Sequence, residues 1–363
     1  MARIRKFSVM VWLAVLAYLP ANAAASQVYG HLYFAGVMLD SSAGRSIALH
    51  NNTRSAFFLG SIAPDAAWVA HLLTQPEVRQ RLSEKYEVQF PAKYRQHSTY
   101  IDDVHKLQPT AFSLQLVAMA GTAEEKAFAI GWLSHFVVDS FIHDLINRHG
   151  GYVNNPDLFD TAAMKTHDKL EAWEMRHVLQ LDGLRLRSAA AEIDQGSLPL
   201  SLLRRTFARS HPFNRYYLDH QSDFGQYTTL ASQLMLDSTR WYGYQSEHTP
   251  AEIYRMKKLI RRFRPRQGRL LEVLVDLPPQ NQYEAEKSSF SFLIDWKTRS
   301  QQVAEISQRL MANAAAYYWW RDRNGEFAGK MAADSLHRIL TELDRINPAD
   351  DLMLPRQNFQ RQH

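Results

Sequence analysis

The chain has 363 residues, of which 46% are apolar and 22% charged, enough to build a sizeable core and too apolar for wholesale disorder. It contains no cysteine, which excludes disulfides and thiolate metal sites; a metal here must be held by His, Asp, Glu or backbone groups. The formal net charge is +5, and cleavage of the first 25 residues would remove Arg3, Arg5 and Lys6 but no acid, leaving +2.

Those first residues read as a signal peptide over 1–25. A basic start is followed by an apolar run from Phe7 to Leu19, too short to span a bilayer comfortably, and then by the small-residue cleavage pattern around Ala21-Asn22-Ala23. The alternative is a retained anchor. The expected mature chain is exported, to the periplasm or beyond.

Val28 to Leu39 reads as a helix carrying His31. The apolar run Phe57-Phe58-Leu59-Gly60-Ser61-Ile62-Ala63-Pro64-Asp65 stops at a Pro-Asp break. Residues 66–86 read as helical and 87–109 as irregular, with Pro109 opening a helix over Thr110–Ala120. The next helix has the clearest start signal. Thr122 is an N-cap, Glu125 completes a capping box, and Lys126–Asn147 is apolar nearly all round, as a core helix is. Further helices are expected over 162–181, 199–209, 222–240, 250–263, 298–320 and 327–345. Alternating β-branched runs are scarce, so the expected fold class is all-α. Domain boundaries follow as a catalytic unit over 26–245 and a helical extension over 246–363. In that extension Arg255 to Arg269 holds eight Lys or Arg and no acid. The basic run suits an anionic lipid surface or nucleic acid; an ordinary solvated helix face fits as well.

Chemistry concentrates on the core helix. His135, Asp139 and His143 are spaced i, i+4, i+8 and share one stripe among Trp132, Leu133, Phe136, Val137, Val138, Phe141 and Ile142. Ionisable groups in such surroundings need partners, and a divalent cation satisfies all three together. Imidazole with carboxylate is donor chemistry that suits zinc. His167 and Glu171 repeat the i, i+4 spacing on the next helix and could complete a metal centre across a bundle. Each piece has a plainer reading: a His–Asp pair within one helix, a surface pair at His167 and Glu171, a satisfied core histidine at His31, an N-cap at Asp65, a helix-dipole partner at His149, and core packing for Tyr317–Trp320.

In this order the pieces resemble the bacterial zinc-dependent phospholipase C family, which shares its fold with P1-type nucleases. They are Gly30-His31, then Gly60-Ser61-Ile62-Ala63-Pro64-Asp65, then Gly131-Trp132-Leu133-Ser134-His135-Phe136-Val137-Val138-Asp139 through His143, then His167 through Glu171. The resemblance covers about residues 28–177. It implies a multi-helix bundle holding three zinc ions. Asp65, His135 and Asp139 would serve one ion together with an intervening histidine, for which His97, His105 and His71 are the alternatives and His105, just ahead of Pro109, is preferred. Asp139 would bridge to a second ion that His31 also holds, and His143, His167 and Glu171 would hold the third. Some family members also use the mature N-terminus as a ligand; here His31 follows the cleavage site by only a few residues.

The function so implied is hydrolysis of phosphatidylcholine or phosphatidylethanolamine to diacylglycerol and a phosphorylated head group, by water that clustered zinc ions activate. Asp65 would serve both as ligand and as catalytic base, and the partners would be phospholipid and the membrane surface. A nuclease or phosphomonoesterase of the same fold is the alternative enzyme. It is disfavoured because no Trp stands near Ser26, where such nucleases commonly begin with a metal-binding one, so nucleic acid is the lesser expectation. A secreted, non-catalytic metal-binding protein is the third reading.

Overall fold

The structure is a computed structural model. It describes residues 28–41, 44–45, 51–65, 109–150, 161–193, 198–210, a few helical positions between 225 and 236, and residues 250–263, 288–324 and 326–346. Among these residues there is no strand, and the all-α expectation holds.

The first helix, α1 (Val28–Asp40), is buried around almost its whole circumference. A helix that is apolar all round has no preferred wet face and sits at the centre of a bundle. α2 (Asn51–Ile62) runs into a single 3₁₀ turn at Ala63–Asp65, where Pro64 withdraws a backbone donor and ends the α-helix. α3 (Pro109–Met119) and α4 (Ala123–Gly150) follow. The capping box at the start of α4 forms as expected. The Glu125 amide donates to Thr122 Oγ1 at 3.1 Å, and the Thr122 amide donates back to the Glu125 carboxylate at 3.4 Å. Arg205 of α6 (Leu200–Arg209) adds a 2.8 Å ion pair to that carboxylate.

α5 (Thr161–Glu192) is longer than the sequence suggested. The expected end at Leu181 coincides with a kink, where Asp182 leaves helical geometry at φ −151° and ψ 47°. The chain resumes because Leu186, Ala189, Ala190 and Ile193 recur at helical spacing and are all buried.

The later helices are α7 (Pro250–Phe263), α8 (Ser288–Asn324) and α9 (Glu326–Ile346). α8 begins ten residues before its expected start. Phe292, Trp296, Val303, Leu310, Met311 and Ala314 line its inner face and join the same hydrophobic core as α1, α2 and α4. Polar ties reinforce this packing: Arg299 reaches Asp144 at 2.6 Å, and Arg321 donates to the carbonyls of Ala118 and Ala120 at 3.1 and 2.6 Å, closing the open end of α3.

The central contact is α2 against α4. It is close because two glycines face it. A Cβ on Gly60 would collide with the Phe128 carbonyl oxygen, and a Cβ on Gly131 with that of Phe57. Glycine inside a helix costs about 1 kcal/mol relative to alanine. Here it lets two backbones meet, which brings the Ser61–Asp65 end of α2 onto the polar stripe of α4.

Candidate metal centre

Three elements deliver the polar groups. α1 supplies His31 and the 3₁₀ turn after α2 supplies Asp65. α4 supplies His135, Asp139 and His143 from successive turns. His31, Asp65, His135, Asp139 and His143 are each between 1% and 6% exposed, so water does little to solvate them.

The side chains converge on one another. Asp139 is central: its Oδ2 is 3.0 Å from His135 Nε2, and its Oδ1 is 3.3 Å from His31 Nε2 and 3.6 Å from His143 Nε2. Asp65 straddles the other two, with Oδ1 3.7 Å from His135 Nε2 and Oδ2 3.7 Å from His31 Nε2. The rings of His31 and His135 stack with centroids 3.8 Å apart and planes 19° from parallel.

Tautomers follow from the outer contacts. His135 Nδ1 lies 2.8 Å from the Ser61 carbonyl oxygen, which can only accept, so Nδ1 carries a proton and donates. The Nε2 atom then turns toward two carboxylates. Without a proton or cation on Nε2, lone pairs would face lone pairs. Burial alone would push His135 down, but the charges of Asp139 and then Asp65, with the hydrogen bonds, carry it up to about 9 in the metal-free chain. His31 moves the other way: burial lowers it, and the adjacent His135 lowers it further, against the pull of Asp139 and Asp65. His31 Nδ1 has no hydrogen-bond partner among the described residues.

A divalent cation fits this donor set. The ligating atoms of His31, His135 and Asp139 all lie within 4.8 Å of one another. Ligands about 2.1 Å from a tetrahedral zinc stand about 3.4 Å apart, and four of the five N···O separations span 3.3–3.7 Å. Backbone carbonyl contact to the far nitrogen of a ligating imidazole is the usual outer support of a metal site, and Ser61 provides it for His135.

The remaining expected residues divide. Glu171 is buried on α5 at 2% exposure. His167 lies one turn before it on the same helix, with its side chain outside the described residues, and His105, His97 and His71 lie wholly outside them. The last turn of α4 carries His149, which pairs with Asp295 at 2.8 Å and packs edge-on against Phe292. It is occupied there in holding α8.

One acidic group escaped the sequence reading. Glu174 is 2% exposed, and its Oε1 accepts a 2.8 Å hydrogen bond from the Trp296 indole. Burial first, then the charges of Glu171 and Asp139, raise it to about 8 despite that bond. The available signal was its position three residues after Glu171, on the same stripe of α5.

The sequence model of one family, described as zinc dependent phospholipase C, matches residues 25–191, a span that holds every residue of this cluster. Neither a curated protein nor a solved structure matches the chain.

Proposed function

Taking as premise that the chain belongs to the zinc-dependent phospholipase C family over residues 25–191, we propose that it is an exported hydrolase that cleaves phosphatidylcholine or phosphatidylethanolamine to diacylglycerol and a phosphorylated head group. The observation that carries this reading is the convergence of His31, Asp65, His135, Asp139 and His143 around a single buried point, because such a set is stable only with a proton or cation at its centre.

The ion count in this proposal is three per chain. Asp65, His105, His135 and Asp139 would serve the first ion, His31 and Asp139 the second, and His143, His167 and Glu171 the third. Bound divalent cations lower the pKa of water toward neutrality and neutralise charge on phosphate oxygens. The chain's own groups do the rest. Ser61 fixes the His135 ring, and Asp139 holds three imidazoles in register with its two oxygens. Asp65, aimed at the same point from a separate segment, is the group we assign to orient the attacking water and accept its proton. The apolar surroundings keep bulk water from screening these charges.

Contact with a lipid surface is supported by α7. Arg255, Lys258 and Arg262 recur at helical spacing and are exposed, with Tyr254 68% and Leu259 48% exposed beside them. Cations flanked by an aromatic and an aliphatic side chain suit an anionic bilayer interface. No described helix is long and apolar enough to cross a membrane.

The test is metal analysis of the purified protein together with hydrolysis of phosphatidylcholine, phosphatidylethanolamine and single-stranded DNA. About three zinc ions per chain with lipid turnover supports the proposal. Turnover of DNA alone moves the assignment to a nuclease of the same fold, and a single ion with no turnover moves it to a binding protein.

A further inference from the structure

The stripe of α5 that carries His167 and Glu171 continues for one more turn. Glu174 stands i+3 from Glu171 and i+7 from His167, so all three lie along one line of the helix. This face of α5 packs toward α1: a side chain beginning at Gly30 would start 3.3 Å from Glu174 Oε1. The carboxyl group therefore lies against the backbone immediately before His31. Its charged neighbours are Glu171 and Asp139, and among the described residues no Lys or Arg pairs with it.

A carboxyl buried beside two others is a poor choice for stability alone. The hydrogen bond it accepts from the Trp296 indole could be accepted equally well by the amide oxygen of a glutamine. What glutamate offers beyond glutamine at this position is a negative charge, and a negative charge there has use only if a cation is near. The assignment above gives the ion held by His31 and Asp139 two protein side chains, where catalytic zinc sites usually have three protein donors.

We propose that Glu174 is a further carboxylate of the cation cluster, serving the ion that His31 and Asp139 hold, with Trp296 of α8 as the residue that positions it. This rests on the metallohydrolase reading for the presence of the ion. It also gives α8, which lies outside the family match at residues 25–191, a direct part in the metal centre.

The experiment uses the full-length protein, stripped of metal and titrated with zinc. Ion count comes from elemental analysis and affinity from chelator competition, for the parent chain, Glu174→Gln, Glu174→Asp and Trp296→Phe. Loss of a carboxylate in or next to a metal's ligand shell costs about 10–100-fold in affinity. We expect Glu174→Gln to lose one zinc ion per chain or to bind its weakest ion at least about 10-fold less tightly, while its metal-free melting temperature stays level or rises. Glu174→Asp keeps the charge and should fall between Glu174→Gln and the parent. Trp296→Phe, which keeps a ring but withdraws the donor, should weaken the same ion by a smaller factor. A Glu174→Gln chain with the parent's count and affinity overturns the proposal, as does Glu174→Asp binding zinc less well than Glu174→Gln, the order a purely structural hydrogen bond would give. A parent chain that takes up no zinc overturns this and the metallohydrolase reading together, whereas a parent that binds and turns over lipid beside an unaffected Glu174→Gln sinks this inference alone.

Discussion

Gly60 and Gly131 face each other across the crossing of α2 and α4, each leaving space that the backbone carbonyl of the opposite helix occupies. Ser61 directly follows one of these glycines, and His135 stands one turn beyond the other. The 2.8 Å contact between Ser61 O and His135 Nδ1 therefore depends on how closely the helices approach. Substituting Gly131 by Ala sets two effects against each other. Helix propensity favours alanine by about 1 kcal/mol. The new methyl, however, meets backbone that cannot rotate away, and overpacking of that kind costs about 1–3 kcal/mol or more. We expect net destabilisation in urea unfolding. Zinc affinity should fall more than global stability does, since the helices must separate at the point that aligns His135.

Asp139 contacts all three imidazoles of the described cluster, at 3.0, 3.3 and 3.6 Å. Asp139→Asn keeps the shape and removes the charge. Lipid hydrolysis should fall at least about 100-fold, in line with the loss of a metal-site ligand. Far-UV circular dichroism should be unchanged, because the capping box and core of α4 are untouched. Activity within a few-fold of the parent would count heavily against the assigned site.

How much of this could be read from the amino acids differs by region. α1, α3, α4, α6, α7 and α9 follow from local signals: Thr122 and Glu125 mark a helix start, Pro109 and Pro250 sit where helices begin, and apolar residues recur at 3.6 spacing. The polar stripe on α4 was legible because His135, Asp139 and His143 stood where the pattern demanded apolar residues. α5 and α8 were cut short. Leu181-Asp182-Gly183 carries turn residues, and only burial of Leu186, Ala189 and Ile193 in a shared core overrides that local preference. At Ser288–Lys297, Phe292 and Trp296 take their places because α1 and α4 present surfaces to cover, which no local window contains. Glu174 was missed for the same reason, since its acceptor role depends on Trp296 arriving from far along the chain.

The metal-free chain should lose stability as pH rises from neutral. His135 is raised from 6.5 to about 9 in the folded state, so its protonation contributes stability fully below pH 6.5 and loses it as pH climbs through 9. Glu174, raised from 4.5 to about 8, works in the same direction over its own window: the folded chain holds a proton that the unfolded chain has released. His31 is lowered, so it opposes folding only below pH 6.5, outside this range. The melting temperature of chelator-treated protein should therefore drop between pH 6.5 and 9.5. With zinc present the slope should flatten or reverse, because the cation displaces the same proton from His135. Parallel pH profiles with and without zinc would show that His135 does not meet the metal.

The helices after residue 246 should prove necessary for the helices before it to stand. Phe292, Trp296, Val303, Leu310 and Met311 are at most 2% exposed in the core shared with α1 and α4. Stripping α8 away would uncover the apolar faces it shields, at roughly 25 cal/mol for each Å² returned to water. It would also free Asp144, His149 and the carbonyl end of α3 from Arg299, Asp295 and Arg321. Expression of residues 26–245 alone should thus give an insoluble or poorly folded chain, although the family match ends at residue 191. A smaller perturbation isolates one tie. Arg321→Ala leaves the carbonyls of Ala118 and Ala120 without their guanidinium donor and should cost about 1–3 kcal/mol by urea unfolding. Lipid hydrolysis by the folded fraction should stay within a few-fold of the parent, since the bonds of Arg321 go to Val117, Ala118 and Ala120 and not to the His31–Asp65–His135–Asp139–His143 cluster. A truncated 26–245 chain that melts cooperatively near the parent temperature would show that the core closes without α8.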